Sequence, residues 1–252
     1  MVWAVGGTSH GSQVPAGAAD VAASAGLEFA VEHLGVPAPV ERPGLRVAYD
    51  DAWSWDPASF LDAARGLLEN APEATAFMWS WCGELSDPAT SVGVYLALLD
   101  RLAEEFPEVT VVYTTGHTDG GTGVLEANND AVRAHVAERG GVLFDVADIE
   151  AHDPSGARYP DAHDGCVWCD GWCAEHPDDC TGLDYECAHS HPLTCRHKGV
   201  AFWWLSARLA GWAGEPDYSP VTPATTERTM PASDGSPVMP STSSAFLPHA
   251  QR

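Results

Sequence analysis

The chain has 252 residues, 45% of them hydrophobic, with 36 acidic against 12 basic side chains and a formal charge of −24. That length suits one mid-sized α/β domain with an appendage, and the hydrophobic share suffices for a real core. So acidic a surface repels nucleic acid and anionic membranes, and no apolar run reaches the ~18 residues of a membrane-spanning helix.

In chain order, Val2–Val5 is a short continuous apolar run of the kind that forms a central parallel strand, followed at once by Gly-Gly-Thr-Ser-His-Gly-Ser. Leu27, Ala30, Val31 and Leu34 recur at helical spacing. Leu45–Tyr49 reads as a second strand. Asp56-Pro57 resembles an N-cap with proline at N1, opening a helix with Phe60, Leu61, Ala64, Leu67 and Leu68 on one face. Thr75–Ser80 is a third strand, and Asp87-Pro88 repeats the helix start ahead of Tyr95, Leu98, Leu99, Leu102 and Phe106. Val109–Thr114 is a fourth strand. Leu125, Asn129, Val132 and Val136 mark a helix stopped by Gly140 and Gly141, and Val142–Val146 is a fifth strand. A long cysteine-bearing loop then leads to an apolar final helix, Gly199–Trp212. From Pro220 the chain is rich in Pro, Ser and Thr without periodicity, so residues 214–252 are expected to be a disordered tail or linker.

Five strands alternating with helices predict a three-layer, doubly wound and mostly parallel sheet. Pattern alone does not choose between the two common strand orders. In the flavodoxin-like order 2-1-3-4-5, the crevice opens between the carboxyl ends of strands one and three, here GGTSHGS and SWCGE. Polar residues also follow strand four (Gly116, His117, Asp119) and strand five (Asp148, Glu150), on the same sheet edge.

This order of motifs resembles the SGNH/GDSL hydrolase superfamily over roughly residues 2–212. Gly7-Thr8-Ser9-His10-Gly11 occupies the nucleophile block, so Ser9 matches the nucleophile. The run from ATAFMWSWCGELSDPAT to VVYTTGH follows the family's third block, and Glu186-Cys187-Ala188-His189 stands where its D-x-x-H is expected. SHGSQ, SWCGE, TGHTDG, FDVADIE and CAHS together resemble a bacterial SGNH-like group whose members are often secreted. The resemblance implies a hydrolase domain over 1–213, with a cysteine-rich loop at 160–197, acting on a small-molecule or carbohydrate ester without a cofactor or metal. A serine hydroxyl needs a base to take its proton and a third group to orient that base. His189 fills the first role and Glu186 or Asp184 the second; His191-Pro192 is the alternative base, with Ala188 then at the orienter position. Oxyanion and substrate contacts fall to the Ser9 and Gly83 amides and to His117, with Asp119 nearby. Ser12 is the alternative nucleophile and Cys82 a further rival.

The motif also departs from the family. Thr8 replaces the aspartate of GDS, and Trp81, Cys82 and Gly83 stand where an oxyanion-donating asparagine belongs. One missing donor costs about 3 kcal/mol of transition-state stabilisation unless another group substitutes. A binding domain for a glycan or metal on the same fold is therefore the alternative function. Trp53, Trp55, Trp79 and Trp81 suit either a sugar-binding floor or the core.

Six of the seven cysteines lie between Cys166 and Cys195. Cys166-x2-Cys169-x3-Cys173, with His163 and His176 close by, has a metal-ligand spacing, but the second half lacks another C-x-x-C. Three disulfides with Cys82 left over are the preferred reading; fifteen pairings are open, and a Cys187–Cys195 link would bracket His189. Such a loop points to an oxidising, extracellular compartment. Met1 leads straight into the first strand without a signal-peptide pattern, which keeps a cytoplasmic location as the alternative.

Overall fold

The computed structural model describes residues 1–33, 44–121 and 123–214. Its centre is one six-stranded sheet: β1 (Val2–Gly7), β2 (Ala30–His33), β3 (Gly44–Tyr49), β4 (Ala76–Ser80), β5 (Thr110–Thr114) and β6 (Val142–Phe144). All neighbours pair in parallel, in the order β2-β3-β1-β4-β5-β6. The five strands expected from the sequence adopt the flavodoxin-like order, and β2 adds a sixth at the edge.

Helices cover both faces, because a parallel strand buried on both sides must find apolar partners above and below. On β1, Ala4 joins one apolar layer and Trp3 and Val5 the other. The first layer is built by α2 (Pro57–Asn70), α3 (Val92–Glu105) and α4 (Gly123–Arg139). Asp56 caps α2 by accepting from the Ser59 amide at 2.9 Å, with Pro57 at N1, and Phe60, Leu61, Ala64, Leu67 and Leu68 are all buried. The second layer holds α1 (Gln13–Ser24), α5 (Val146–Ala151) and α7 (Pro192–Leu209). A short α6 (Cys169–Glu175) lies in the cysteine-rich loop, where Trp168, Cys169 and Leu193 form a small core of their own.

Four boundaries differ from expectation. The helix after β1 is α1, not the stretch around Leu27–Leu34: Ala30–His33 is strand, Leu27 is 54% exposed, and Leu34 lies outside the described residues. α1 buries Gln13, Val14, Pro15, Gly17, Ala18 and Ala22, so Val14 is its one large aliphatic side chain in the core and the periodic apolar signal is weak. It packs closely on α7, where a Cβ at Gly17 would overlap the Cys195 carbonyl and one at Gly199 would overlap Gly17. α3 begins at Val92 rather than at Pro88, because Asp87 closes a turn onto the Ala89 amide instead. α7 begins at Pro192, seven residues before Gly199, with His191 as its N-cap. Phe144 ends β6, and Asp145 caps α5 there. The expected tail from residue 215 onward lies outside the described residues.

The cysteines form three pairs, Cys166–Cys169, Cys173–Cys180 and Cys187–Cys195, with Cys82 free. These pairs are compatible with an extracellular location. No helix among the described residues is long and apolar enough to cross a membrane.

Candidate active site

β1 and β4 meet at the switch point of the sheet: beyond their carboxyl ends α1 packs in one apolar layer and α3 in the other. Gly7 sits there at φ 150°, its position so close to β4 that a Cβ would stand 2.5 Å from the Ser80 carbonyl oxygen. The tight passage puts Ser9 at the head of a 3-10 turn spanning Ser9–Ser12. Its hydroxyl lies 2.9 Å from His189 Nε2, across 180 residues of sequence. Ser12 turns the other way and donates its hydroxyl to the Ser9 carbonyl at 2.8 Å. His191 caps α7, its Nδ1 accepting from the Leu193 amide at 3.1 Å. Of the two serines and two histidines weighed from the sequence, Ser9 and His189 are the pair brought together.

His189 itself has φ 61°, inside the loop closed by Cys187–Cys195. Glu186 and Asp184 are exposed, and among the described residues neither forms a hydrogen bond or ion pair with it. A different group meets the imidazole. His10, buried behind Ser9, stacks on His189 with centroids 4.5 Å apart and planes at 11°. On its other face it stacks on His117 at 4.6 Å and 13°. His10 Nε2 bonds Asp164 Oδ2 at 3.1 Å, while Nδ1 is buried without a partner. Burial, chiefly, with His117 adding to it, pushes the His10 pKa down to about 4, so the ring is neutral at ordinary pH.

The expected oxyanion donors are partly engaged. The Ser9 amide donates to Asp51 Oδ1 at 2.8 Å. His117 Nδ1 lies 2.7 Å from the Thr118 carbonyl, which only accepts, so the neutral ring carries its proton there and offers Nε2 as an acceptor. In that tautomer His117 has no N–H left to offer an oxyanion. Gly83 opens a 3-10 turn after β4, and a Cβ there would lie 3.8 Å from the ring of Trp55, which is 53% exposed. Trp79 and Trp81 are core residues instead, their indoles donating to Ser54 Oγ and the Thr114 carbonyl. Cys82 meets Ser9 beside this turn, but burial pushes its thiol up, away from the reactive thiolate. Glu84 is buried, accepts the Cys82 amide at 2.6 Å, and is pushed up by burial. Asp119 accepts from Ser86 Oγ at 3.4 Å, and its backbone forms an isolated antiparallel bridge with that of His163. That bridge, with the Asp164 amide donating to the Thr118 carbonyl at 3.0 Å, sets Asp164 beside His10.

Beneath the site lies a buried polar network. Lys198, the only lysine of the chain, is fully buried on α7 and donates to Glu150 Oε1 at 2.5 Å and to Gln13 Oε1. Glu150 Oε2 accepts from the Thr118 amide at 2.6 Å and its hydroxyl at 2.8 Å. Gln13 Nε2 donates to the Ala188 carbonyl at 2.5 Å. The network thus grips the residue after His117 and the residue before His189. Asp148, the other carboxylate noted after strand five, lies outside this network and half-buried beside His152.

Sequence reasoning missed His10, Gln13, Asp51 and Asp164. A lone lysine directly ahead of the expected apolar helix was the one available signal for a buried cation; the rest depends on loops meeting in space. His10, His117 and Asp164 bring one donor atom each within 4.8 Å of one another. With the two rings nearly parallel, their in-plane lone pairs do not converge on one point, so the stack does not fit joint coordination of a metal.

The fold and these contacts define a doubly wound α/β protein with a serine–histidine pair at the switch point of its sheet. No family model and no curated protein matches the chain. Among solved structures it is similar to a candidate acylhydrolase from Bacteroides fragilis, at 12% identity and TM-score 0.45 over 83% of this chain and 86% of that one. It is similar too to a candidate lipolytic protein of the G-D-S-L family from Desulfitobacterium hafniense, at 9% identity and TM-score 0.45 over 80% of this chain and 97% of that one.

Proposed function

We propose that the protein is an SGNH-type hydrolase that cleaves an ester through Ser9. The observation that carries the reading is the 2.9 Å approach of His189 Nε2 to Ser9 Oγ. His189 takes the hydroxyl proton as Ser9 attacks the carbonyl, then hands it to the leaving alkoxide; water reverses the sequence to release the acid. Gly83 is the proposed contact for the oxyanion, joined by the Ser9 amide once substrate displaces Asp51. Exposed Trp55 beside Gly83 supports a carbohydrate alcohol, because sugar faces stack on open indole rings. The three disulfides support secretion.

Hydrolysis of p-nitrophenyl acetate and of acetylated glycans by the wild type and by Ser9→Ala, Ser12→Ala and Cys82→Ala tests this. Only Ser9→Ala should abolish turnover and labelling by a fluorophosphonate. Equal rates from all four proteins would sink the serine mechanism. The occupied Ser9 amide favours one second reading, a glycan-binding domain without turnover. It gains if the wild type is inert while acetylated glycan raises its melting temperature.

A further inference from the structure

We propose that His10 is a positioning residue for the Ser9–His189 pair, its buried imidazole aligning His189 face to face where a triad would use a carboxylate. The proposal rests on the reading of Ser9 as nucleophile.

Three observations carry it. First, the backbone of the His189 loop is held by the Cys187–Cys195 link and by Gln13 on the Ala188 carbonyl. Neither restrains the side-chain torsions of an exposed imidazole. Among the described residues, His189 Nδ1 has no hydrogen-bond partner, so the ring lacks the in-plane anchor that an acid supplies. Second, the stack supplies that restraint from the face. Two rings 4.5 Å apart at 11° cannot turn independently, since rotating His189 about its second torsion drives an edge into His10. Third, His10 cannot yield. It is buried, bonded to Asp164, and backed by His117 on its far face.

The stack also suits the proton's path. Ser9 Oγ–H gives its proton to His189 Nε2, which returns it to the leaving alkoxide; no proton passes to His10. While His189 is charged, it lies over the π face of a ring that burial keeps neutral, a favourable arrangement for a cation. A second imidazolium there would repel it. The titratable groups facing His10 are His117, Asp164, Lys198 and His189; those around His189 are His10 and, on its own loop, exposed Asp184 and Glu186.

The test compares wild type, His10→Ala, His10→Phe and Ser9→Ala in two measurements. Phenylalanine keeps an aromatic face and removes the unpartnered Nδ1, so it folds where alanine leaves a void. With p-nitrophenyl acetate, His10→Ala should lower kcat by about 100-fold, as expected for a displaced catalytic group, with KM little changed. His10→Phe should recover most of that loss. In proton NMR, the His189 ring signals should move downfield in His10→Ala, as the ring current above them is lost, and stay near the wild-type position in His10→Phe. Equal loss in both variants would assign the effect to the Asp164 bond and overturn the proposal. So would wild-type kcat in His10→Ala, or unmoved His189 signals. Undiminished turnover by Ser9→Ala would instead overturn the nucleophile reading, and the NMR arm would still report whether the stack exists.

Discussion

Replacing Lys198 by methionine should destabilise the fold in a way that depends on pH. Methionine matches the length of the lysine stem, so the apolar packing on α7 is nearly conserved. What disappears is the charge that faces Glu150 at 2.5 Å, in a place where both side chains are 1% exposed. Stranding a buried carboxylate costs about 3–5 kcal/mol. A second route sets a ceiling: Glu150 can take up a proton, and for an ordinary glutamate this costs about 3.7 kcal/mol at pH 7. Gln13 Oε1 also loses its donor, adding about 1 kcal/mol. A total near 4–5 kcal/mol at pH 7 follows. In the variant, the folded state would hold a proton that the unfolded chain has released. The loss should therefore shrink by about 1.4 kcal/mol per pH unit on acidification towards the unfolded glutamate's ~4.3. Urea unfolding at pH 7 and pH 5 measures both terms. The double variant Lys198→Met/Glu150→Gln restores neutrality and keeps an acceptor for Thr118, so it should recover all but about 1–2 kcal/mol. A single-variant loss under about 1.5 kcal/mol at pH 7, or one equal at both pH values, would refute the reasoning.

Freeing the Ser9 amide by Asp51→Ala should raise kcat for acetyl esters by roughly ten-fold, since a carboxylate no longer occupies an oxyanion donor; a lower kcat would place Asp51 in the working site. Trp55→Ala should raise KM for acetylated glycans while leaving that for p-nitrophenyl acetate unchanged, as steady-state kinetics on the two substrates will report. Removing the Cys187–Cys195 link by paired serine substitutions should lower stability by about 2–3 kcal/mol for so short a loop. It should also reduce kcat more than KM, because His189 lies between the two cysteines. His10 stays neutral when folded, with a pKa near 4 against the ordinary 6.5. As pH falls through that window the unfolded chain gains a proton that the folded one refuses, so stability should drop by up to about 3 kcal/mol. His10→Phe should remove that share from the pH dependence of chemical denaturation.

The strands that carry the site were legible because a parallel strand buried on both faces must be a continuous apolar run. Val2–Val5, Thr75–Ser80 and Val109–Thr114 announce β1, β4 and β5 in this way. α2 was legible because Asp56-Pro57 is a chemical start signal independent of anything distant. α1 was not, since alanines and glycines chosen for closeness to α7 leave only a weak periodic mark, and β2 is too short and half-exposed to declare itself. The resemblance to the SGNH motifs pointed to Ser9 and His189, with Ser12 and His191 open beside them. The approach of Ser9 and His189 to 2.9 Å, the stack of His117, His10 and His189, and the grip of Lys198 on two loops were not legible. Local sequence determines which segments become strands and helices and which residue types end at the crevice, because those choices depend on burial pattern and capping within a few residues. Which acid, ring or amide meets which partner depends on distances between loops remote in sequence, and only the tertiary fold sets those distances.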